Sequence, residues 1–334
     1  MIVKKGFMNK KLPGVIPLQP YCREMVWGGR RLAELYGKQL PADVRVGETF
    51  ELSAYEYRES RAAAGPLLGR SLQDLLEQYR EDLVGGDVWA RYGGRFPLLI
   101  KLLDAQQDLS IQVHPDDAYA QLKGLQDVGK MEAWYVLHSE GGRVAYGLQE
   151  GVGREDFTAA VAENRVEEVI RFYTVSRGDL VFSPPGTVHA LCAGVVIYEV
   201  QQSSDLTFRI YDYDRPGLDG RPRELHIEQA LEVIDFAQKL PGPVPYPDLR
   251  GDILVESQHF VLRGCGLHTE SAEHVAEGSF LALTLVGGKA LLSDGEGEYP
   301  LAAGATALVP AGGVCEIVPL GDEKLEYLIA SVPT

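Results

Sequence analysis

Apolar and polar positions alternate with a period of two through most of this chain, the pattern of strands whose successive side chains point to opposite faces. VGETFELSAYEY, FPLLIKLLDAQ, LSIQVHP, EAWYVLHS, DLVFSPPG, VVIYEVQQ and LTFRIYDYD are β-branched or aromatic runs closed by Gly, Pro, Asp or Ser. Helical periodicity replaces the alternation in four places. Residues 71–84 carry apolar side chains at Leu72, Leu75, Leu76, Tyr79 and Leu83, and open with Ser71 and, three on, Asp74, a capping-box pattern. Residues 155–162 and 166–173 read as a helix pair, and 225–236 as the last helix. Many strands, with helices confined to insertions (about 71–90, 153–173 and 225–236), predict a mainly β fold: a sandwich or barrel with a helical appendage.

Proline density peaks in LPGPVPYP at 240–247, a stiff connector that sets the expected domain boundary: 1–240 as one domain with the helical insertions, 241–334 as a second built of strands only. A weak repeat links the two. GDLVFSPPGTVH (178–189) and GATALVPAGGVC (304–315) match at Gly178 and Gly304, Pro184 and Pro310, and Gly186 and Gly312, all at an offset of 126 residues (304 minus 178). Each copy is a strand, a Pro-Gly turn and a strand. Where the first has His189, the second has Cys315, and the second half has no Gln-x-His segment. The expectation is two related β-domains, of which only the first holds a metal.

Composition narrows the function. The chain has 334 residues, 45% of them hydrophobic and 24% charged, ordinary for a globular protein with a sizeable core. A formal net charge of −16 argues against a nucleic-acid partner, which calls for a basic surface. It would also repel a small anionic substrate, which then needs a locally positive pocket. No long apolar stretch suggests a signal peptide or membrane span, and a cytoplasmic location is the expectation. The four cysteines form no CxxC pair, which argues against a disulfide framework or a cysteine zinc site.

The candidate chemistry starts at Gln112-Val113-His114-Pro115. Alternation puts Gln112 and His114 on one face, roughly 7 Å apart, with Leu109, Ile111 and Val113 on the other, and Pro115 stops the strand at the polar pair. Glu132 lies on the otherwise apolar strand EAWYVL, where an unpaired carboxylate is costly and a metal relieves it. His189 follows the rigid turn Ser183-Pro184-Pro185-Gly186. Two imidazoles, a carboxylate and an amide oxygen suit a borderline divalent cation. Lys101 sits in a strand too apolar for a casual lysine, and Lys130 alternates onto the face of Glu132. Glu199 and Arg209, on successive strands, are expected to face each other across a hairpin, either as a plain salt bridge or as a base and a cation inside a pocket. Cys192 reads as a small buried residue and the remaining histidines as ordinary.

KLLDAQQDLSIQVHPDDAYA, GKMEAWYVL, PPGTVHALCAG and EVQQSSDLTFRIYDYDR, with WGG at 27–29 and GETFELS at 47–53, resemble the type I mannose-6-phosphate isomerases in their short bacterial form. The similarity runs with gaps from about residue 15 to 236 and weakens beyond. It implies a cupin-type jelly-roll β-sandwich with a helical insertion and a second, metal-free cupin-like β-domain. It also implies one zinc ion on Gln112, His114, Glu132 and His189 (other divalent metals fit the donors too), with family cations matching Arg209, Lys130 and Lys101. Two positions depart from the pattern: Met131 where Thr is frequent, and Phe50 where Trp is frequent.

The implied reaction interconverts mannose 6-phosphate and fructose 6-phosphate through an enediolate. Arg209, Glu199 and Lys130 are the catalytic candidates, with Glu199 the first choice of base and Lys130 or a metal-bound water the others. Lys101 and Ser110 are the substrate-binding candidates, for a small phosphosugar and neither nucleic acid nor membrane. Two other readings stay open: a non-catalytic sugar-phosphate-binding cupin, and a non-haem Fe(II) cupin oxygenase, which uses two His and one carboxylate.

Overall fold

A computed structural model describes residues 12–334. Its strands form four sheets stacked as two sandwiches. The first pairs a seven-stranded sheet, in the order Val244–Pro245, Asp179–Ser183, Glu132–Ser139, Val195–Gln202, Leu98–Ala105, Val46–Leu52 and Tyr21–Gly29, with a five-stranded one, Phe208–Tyr211, Ile111–Val113, His189–Leu191, Arg143–Leu148 and Ile170–Thr174. The second pairs the order Asp252–Glu256, Val261–Leu267, Leu325–Ser331, Leu281–Gly287, Thr306–Val309, Ile16–Gln19 and Arg61–Ala62 with a four-stranded sheet, Ala272–Val275, Val314–Pro319, Lys289–Ser293 and Glu298–Ala302. All recorded pairings between strands are antiparallel, as alternating strands with one face in each core require.

The two seven-stranded sheets pack back to back. Leu98, Ile100 and Leu102 from one and Leu262, Leu308 and Leu328 from the other share one core, so the sandwiches form four continuous layers. The helical insertion closes the side of that core. Its first helix, Leu72–Tyr79, starts as expected: Ser71 Oγ accepts from Asp74 N at 3.1 Å, and Asp74 Oδ2 accepts from Ser71 N at 3.3 Å. Leu75, Leu76, Leu83, Val84 and Val88 from this helix and the two that follow it reach the shared core.

Strand order repeats between the sandwiches. The run Asp179–Ser183, Glu132–Ser139, Val195–Gln202, Leu98–Ala105, Val46–Leu52 has the order of Thr306–Val309, Leu281–Gly287, Leu325–Ser331, Val261–Leu267, Asp252–Glu256. The repeated glycines keep one conformation: φ is +92° at Gly178 and +88° at Gly304, +82° at Gly186 and +74° at Gly312, values that disfavour other residues. The chain is less neatly divided than its connector suggests. Ile16–Gln19 pairs with Thr306–Val309 in the far sandwich, while Val244–Pro245, inside the proline-rich stretch, pairs with Asp179–Ser183 in the near one.

Three local expectations differ from the structure. The segment read as the second helix of a pair is a 3-10 turn, Val166–Val169, followed by the strand Ile170–Thr174; Val166 and Ile170 fill the core but no full helical turn follows. Leu109 does not share a core with Ile111 and Val113: it packs with Trp27 and Trp134 inside the sandwich, whereas Ile111 and Val113 back onto the helices. Glu199 and Arg209 do not form a hairpin. Their strands belong to different sheets, and residues 203–207 cross between the two layers.

Candidate metal centre and active-site cavity

Register builds this site. Residues directly opposed on neighbouring antiparallel strands share a face. On the large sheet of the first sandwich, one row sets Phe50 opposite Lys101, Lys101 opposite Glu199, and Glu199 opposite Trp134. The neighbouring row sets Gln201 opposite Glu132 and Glu132 opposite Ser183. On the small sheet, Arg209 opposes Gln112, Gln112 opposes His189, and His189 opposes Tyr146. The two sheets turn these polar rows toward one another, so Glu199 and Arg209 line one cavity from facing sheets rather than pairing along one ribbon.

His114, Glu132 and His189 bring one ligand atom each within 4.8 Å of one another, all buried. His189 Nε2 lies 3.1 Å from Glu132 Oε1, and His114 Nε2 lies 3.5 Å from Glu132 Oε2. Both imidazoles are aimed from behind: His114 Nδ1 is 2.8 Å from the Leu206 carbonyl and His189 Nδ1 is 3.0 Å from the Thr187 carbonyl. A carbonyl only accepts, so each Nδ1 carries the proton and each Nε2 turns its lone pair toward Glu132. At His189 that sets a lone pair against a carboxylate oxygen, a contact that calls for positive charge between them, either a proton or a metal ion. Both oxygens of Glu132 are buried: Oε2 meets the Lys130 ammonium at 2.9 Å, and Oε1 faces only the His189 Nε2. The donor set therefore fits a divalent cation of the zinc type. Gln112 lies beside the three: its amide nitrogen is 3.5 Å from His189 Nε2, and turning the amide over would put the oxygen there.

Lys130 lies against this cluster, 2.9 Å from Glu132 Oε2 and 3.1 Å from His114 Nε2. Burial alone would lift the Glu132 carboxyl, but Lys130 and the two imidazoles outweigh it and hold it well below the usual range. Burial and the Lys130 ammonium push His114 down to about 3, so its ring is neutral and able to ligate.

Next to this cluster, and lined by Gln112 and Lys130 that contact it, lies a cavity of about 460 Å³. The expected residues Lys101, Ser110, Gln112, Lys130, Glu199 and Arg209 all line it. Lys101, only 3% exposed, lies 3.3 Å from Glu48 Oε1 and 3.6 Å from Glu199 Oε1, with its ammonium 4.9 Å from the Phe50 ring centre. Glu199 Oε2 accepts from Trp134 Nε1 at 2.8 Å, while Oε1 has no hydrogen-bond partner. Burial and the charge on Glu132 raise the Glu199 carboxyl above its ordinary range despite Lys130 and Lys101. Arg209 Nε donates to Ser110 Oγ at 3.3 Å, and one terminal nitrogen donates to the Glu224 carbonyl at 2.8 Å.

Several lining residues were not foreseen: Arg23, Glu48 and Arg223. Glu48 bridges two cations, Lys101 and Arg23, the latter at 3.1 Å. Burial pushes its carboxyl up, but the two cations outweigh this and hold it below the usual range. Its place in GETFELS, on a strand that alternation turns inward, was the one available signal. Arg23 and Arg223 lie in segments whose approach to the cavity no local pattern reveals. With Lys101, Lys130 and Arg209 they give the cavity five cations, set among five carboxylates (Glu24, Glu48, Glu199, Asp205 and Asp219), in a chain of formal charge −16.

Fold and site define a class first: a jelly-roll protein of the cupin type, with two imidazoles, a carboxylate and an amide turned into one sandwich. Comparison with known proteins narrows it. The profile of "Phosphomannose isomerase type I, catalytic domain" matches residues 15–146. The mannose-6-phosphate isomerase ManA of Bacillus subtilis (strain 168) is 34% identical over 313 residues, covering 92% of this chain and 94% of that one. The crystal structure of the mannose 6-phosphate isomerase from Bacillus subtilis superposes with a TM-score of 0.83 at 31% identity, over 96% of this chain and all (100%) of that one. A mannose 6-phosphate isomerase solved with zinc and yttrium bound shares the fold, with a TM-score of 0.73 at 20% identity, over 94% of this chain and 99% of that one. The chain belongs to the type I phosphomannose isomerase family. Among the described residues no helix is long and apolar enough to cross a membrane.

Proposed function

We propose that this protein interconverts mannose 6-phosphate and fructose 6-phosphate, with one zinc ion held by Gln112, His114, Glu132 and His189. The observation that carries the reading is the convergence of two imidazole Nε2 atoms on a buried carboxylate, next to a charged cavity lined by Gln112 and Lys130, which contact that cluster.

A metal held by these residues would supply Lewis-acid stabilisation of the negative charge that develops on the substrate. The remaining work falls to side chains. Glu199 takes the carbon-bound proton and returns it to the adjacent carbon. Its Oε1, which accepts no hydrogen bond and has only the Lys101 ammonium nearby at 3.6 Å, and its raised proton affinity suit a carboxylate that must accept and release a proton. Trp134 fixes the other oxygen, and hence the direction of the free one. Arg209, on the facing sheet, places a permanent cation opposite Glu199, where charge develops on the substrate oxygens. Lys101 and Ser110 bind substrate from the walls: Lys101 as a cation already balanced by Glu48 and Glu199, Ser110 as a hydroxyl tied to Arg209. Lys130 offsets the negative charge of Glu132, and its ammonium competes with a cation for the His114 lone pair.

A coupled assay of fructose 6-phosphate formation tests this on protein as purified, after chelation, and after zinc is restored. The expected result is turnover that disappears with the metal and returns with zinc. Absence of turnover in metal-replete protein, with mannose 6-phosphate still bound tightly, would instead make it a sugar-phosphate-binding cupin. Oxygen uptake with Fe(II) would favour the oxygenase reading.

A further inference from the structure

The crossover at residues 203–207 connects the sheets that form the site, and one buried side chain clamps it. Gln201 is 0% exposed and stands directly opposite Glu132 on the neighbouring strand. Its amide nitrogen donates to two carbonyls ahead of it, Gln202 O at 2.8 Å and Ser204 O at 2.7 Å. Ser204 extends the clamp: its hydroxyl donates to Val128 O at 2.6 Å and accepts from Leu206 N at 3.3 Å. Asp205 N donates to Asp127 Oδ2 at 2.8 Å. The crossover thereby presents the Leu206 carbonyl to His114 Nδ1 at 2.8 Å. Gln201 Oε1, by contrast, is buried without a partner. An amide kept only for stability would be a costly choice there, because its buried oxygen forgoes the hydrogen bonds it makes to water in the unfolded chain.

We propose that Gln201 is a positioning residue for the metal centre: its amide holds the crossover in the shape that lets the Leu206 carbonyl fix the tautomer and aim of His114. The proposal rests on the metal-centre reading above. Gln201 stands beside Glu132 but spends its amide donors on the backbone of the crossover. It acts through two backbone carbonyls and one ring nitrogen, as groups behind a metal ligand do when they set its orientation.

The test uses the full chain and two probes: Zn(II), titrated against a chromophoric chelator, and Co(II), whose visible absorption reports ligand geometry. Gln201→Met keeps the shape and removes the donors; the expected loss is about 10- to 100-fold in zinc affinity, with a changed cobalt spectrum. Ser204→Ala, which removes only the outer part of the clamp, is expected to move both readouts the same way by a smaller factor. Thr284→Val serves as a stability control, because its buried hydroxyl pairs with Thr306 Oγ1 at 2.8 Å in the other sandwich; it should lower Tm and leave zinc affinity unchanged. If Gln201→Met lowers Tm while zinc affinity and the cobalt spectrum stay at wild-type values, Gln201 is merely structural and the proposal falls. Should Gln201→Met fail to fold, Ser204→Ala decides: unchanged affinity overturns the proposal. Wild-type protein that takes up no zinc would overturn the metal-centre reading itself, a result read without any variant.

Discussion

The two sandwiches share a strand order and differ in what their inner faces carry. Their pairings can be read position by position. Ser183 opposes Glu132 in the first; in the second, 126 residues on, Val309 opposes Leu281. Glu199 stands between Lys101 and Trp134, whereas Ile329 stands between Arg263 and Leu283. On the small sheets, His189 opposes Gln112 and Cys315 opposes His274. The bond from Gly186 N to the His114 carbonyl, 2.9 Å, has its counterpart from Gly312 N to the Ala276 carbonyl, 2.7 Å. Each ligand position of the first sandwich thus has a different residue in the second: His274 for Gln112, Ala276 for His114, Leu281 for Glu132, Cys315 for His189. Leu283, Leu285, Val309, Ile317 and Ile329 fill the second interior as an apolar core, whereas the first keeps a cavity of about 460 Å³. One architecture thus supports both a site and a plain core, and the inward-facing positions decide which.

The largest effect expected comes from moving one residue of the second sandwich into the first. Glu132→Leu installs the side chain of position 281 and removes the carboxylate on which both imidazoles converge. Bound zinc should be lost, and turnover should fall by about 10³-fold or more, since the Lewis acid is worth several kcal/mol of transition-state stabilisation. Elemental analysis and the coupled assay check it. A variant that retains stoichiometric zinc would place the metal elsewhere and break the comparison.

Next in size is Glu199→Gln, which leaves the ligands intact and removes the proton acceptor. The expected loss is about 10²- to 10⁴-fold in kcat with KM and zinc content little changed. Near wild-type turnover would transfer the base role to Lys130 or to a metal-bound water. Either outcome sharpens what separates the sandwiches: ligands alone, or ligands together with a base one row away.

How much of this contrast the chain discloses depends on the range of the interaction. Gln112 and His114 are legible because strand alternation is local and Pro115 ends the strand beside them. Glu132 and Lys101 are legible because a charge inside an apolar run needs a partner. Cys315 in the place of His189 shows through a Pro-Gly turn that recurs within the chain. The relation between Glu199 and Arg209 is not legible, since a short connection reads as a hairpin whether the chain stays in its sheet or crosses to the facing one. Residues 166–173 mislead for a related reason: apolar residues at 166, 169 and 170 suit a helix, yet a sheet edge beside Arg143–Leu148 was available to pair with. The pairing of Ile16–Gln19 with Thr306–Val309 spans nearly the whole chain and has no local signature.

A smaller effect is expected in the second sandwich. Cys315→Ala removes a buried sulfur from a packed core and should cost about 1 kcal/mol, with a drop of a few degrees in Tm. Zinc content and kcat per folded molecule should not change. Loss of metal in this variant would show that the second interior is not inert after all.

The smallest expected difference is one of pH. His274, in the place of Gln112, contacts Tyr327 OH through Nε2 at 2.9 Å. Burial and the nearby Arg263 lower its proton affinity below the ordinary histidine value. The unfolded chain therefore takes up this proton first as pH falls through about 6.5, and the contribution of His274 to stability, complete above that value, declines until the folded protein is protonated as well. His274→Gln restores the residue type of the first sandwich and has no charge to gain. Its Tm should fall less between pH 7 and pH 5 than that of the wild type, while activity at neutral pH is unchanged. Parallel Tm profiles for the two proteins would mean that this imidazole is not protonated differently in the folded and unfolded chains. It would then be a neutral filler, and the replacement of Gln112 by His274 would carry no electrostatic cost in a sandwich where Ala276 and Leu281 stand at two of the ligand positions.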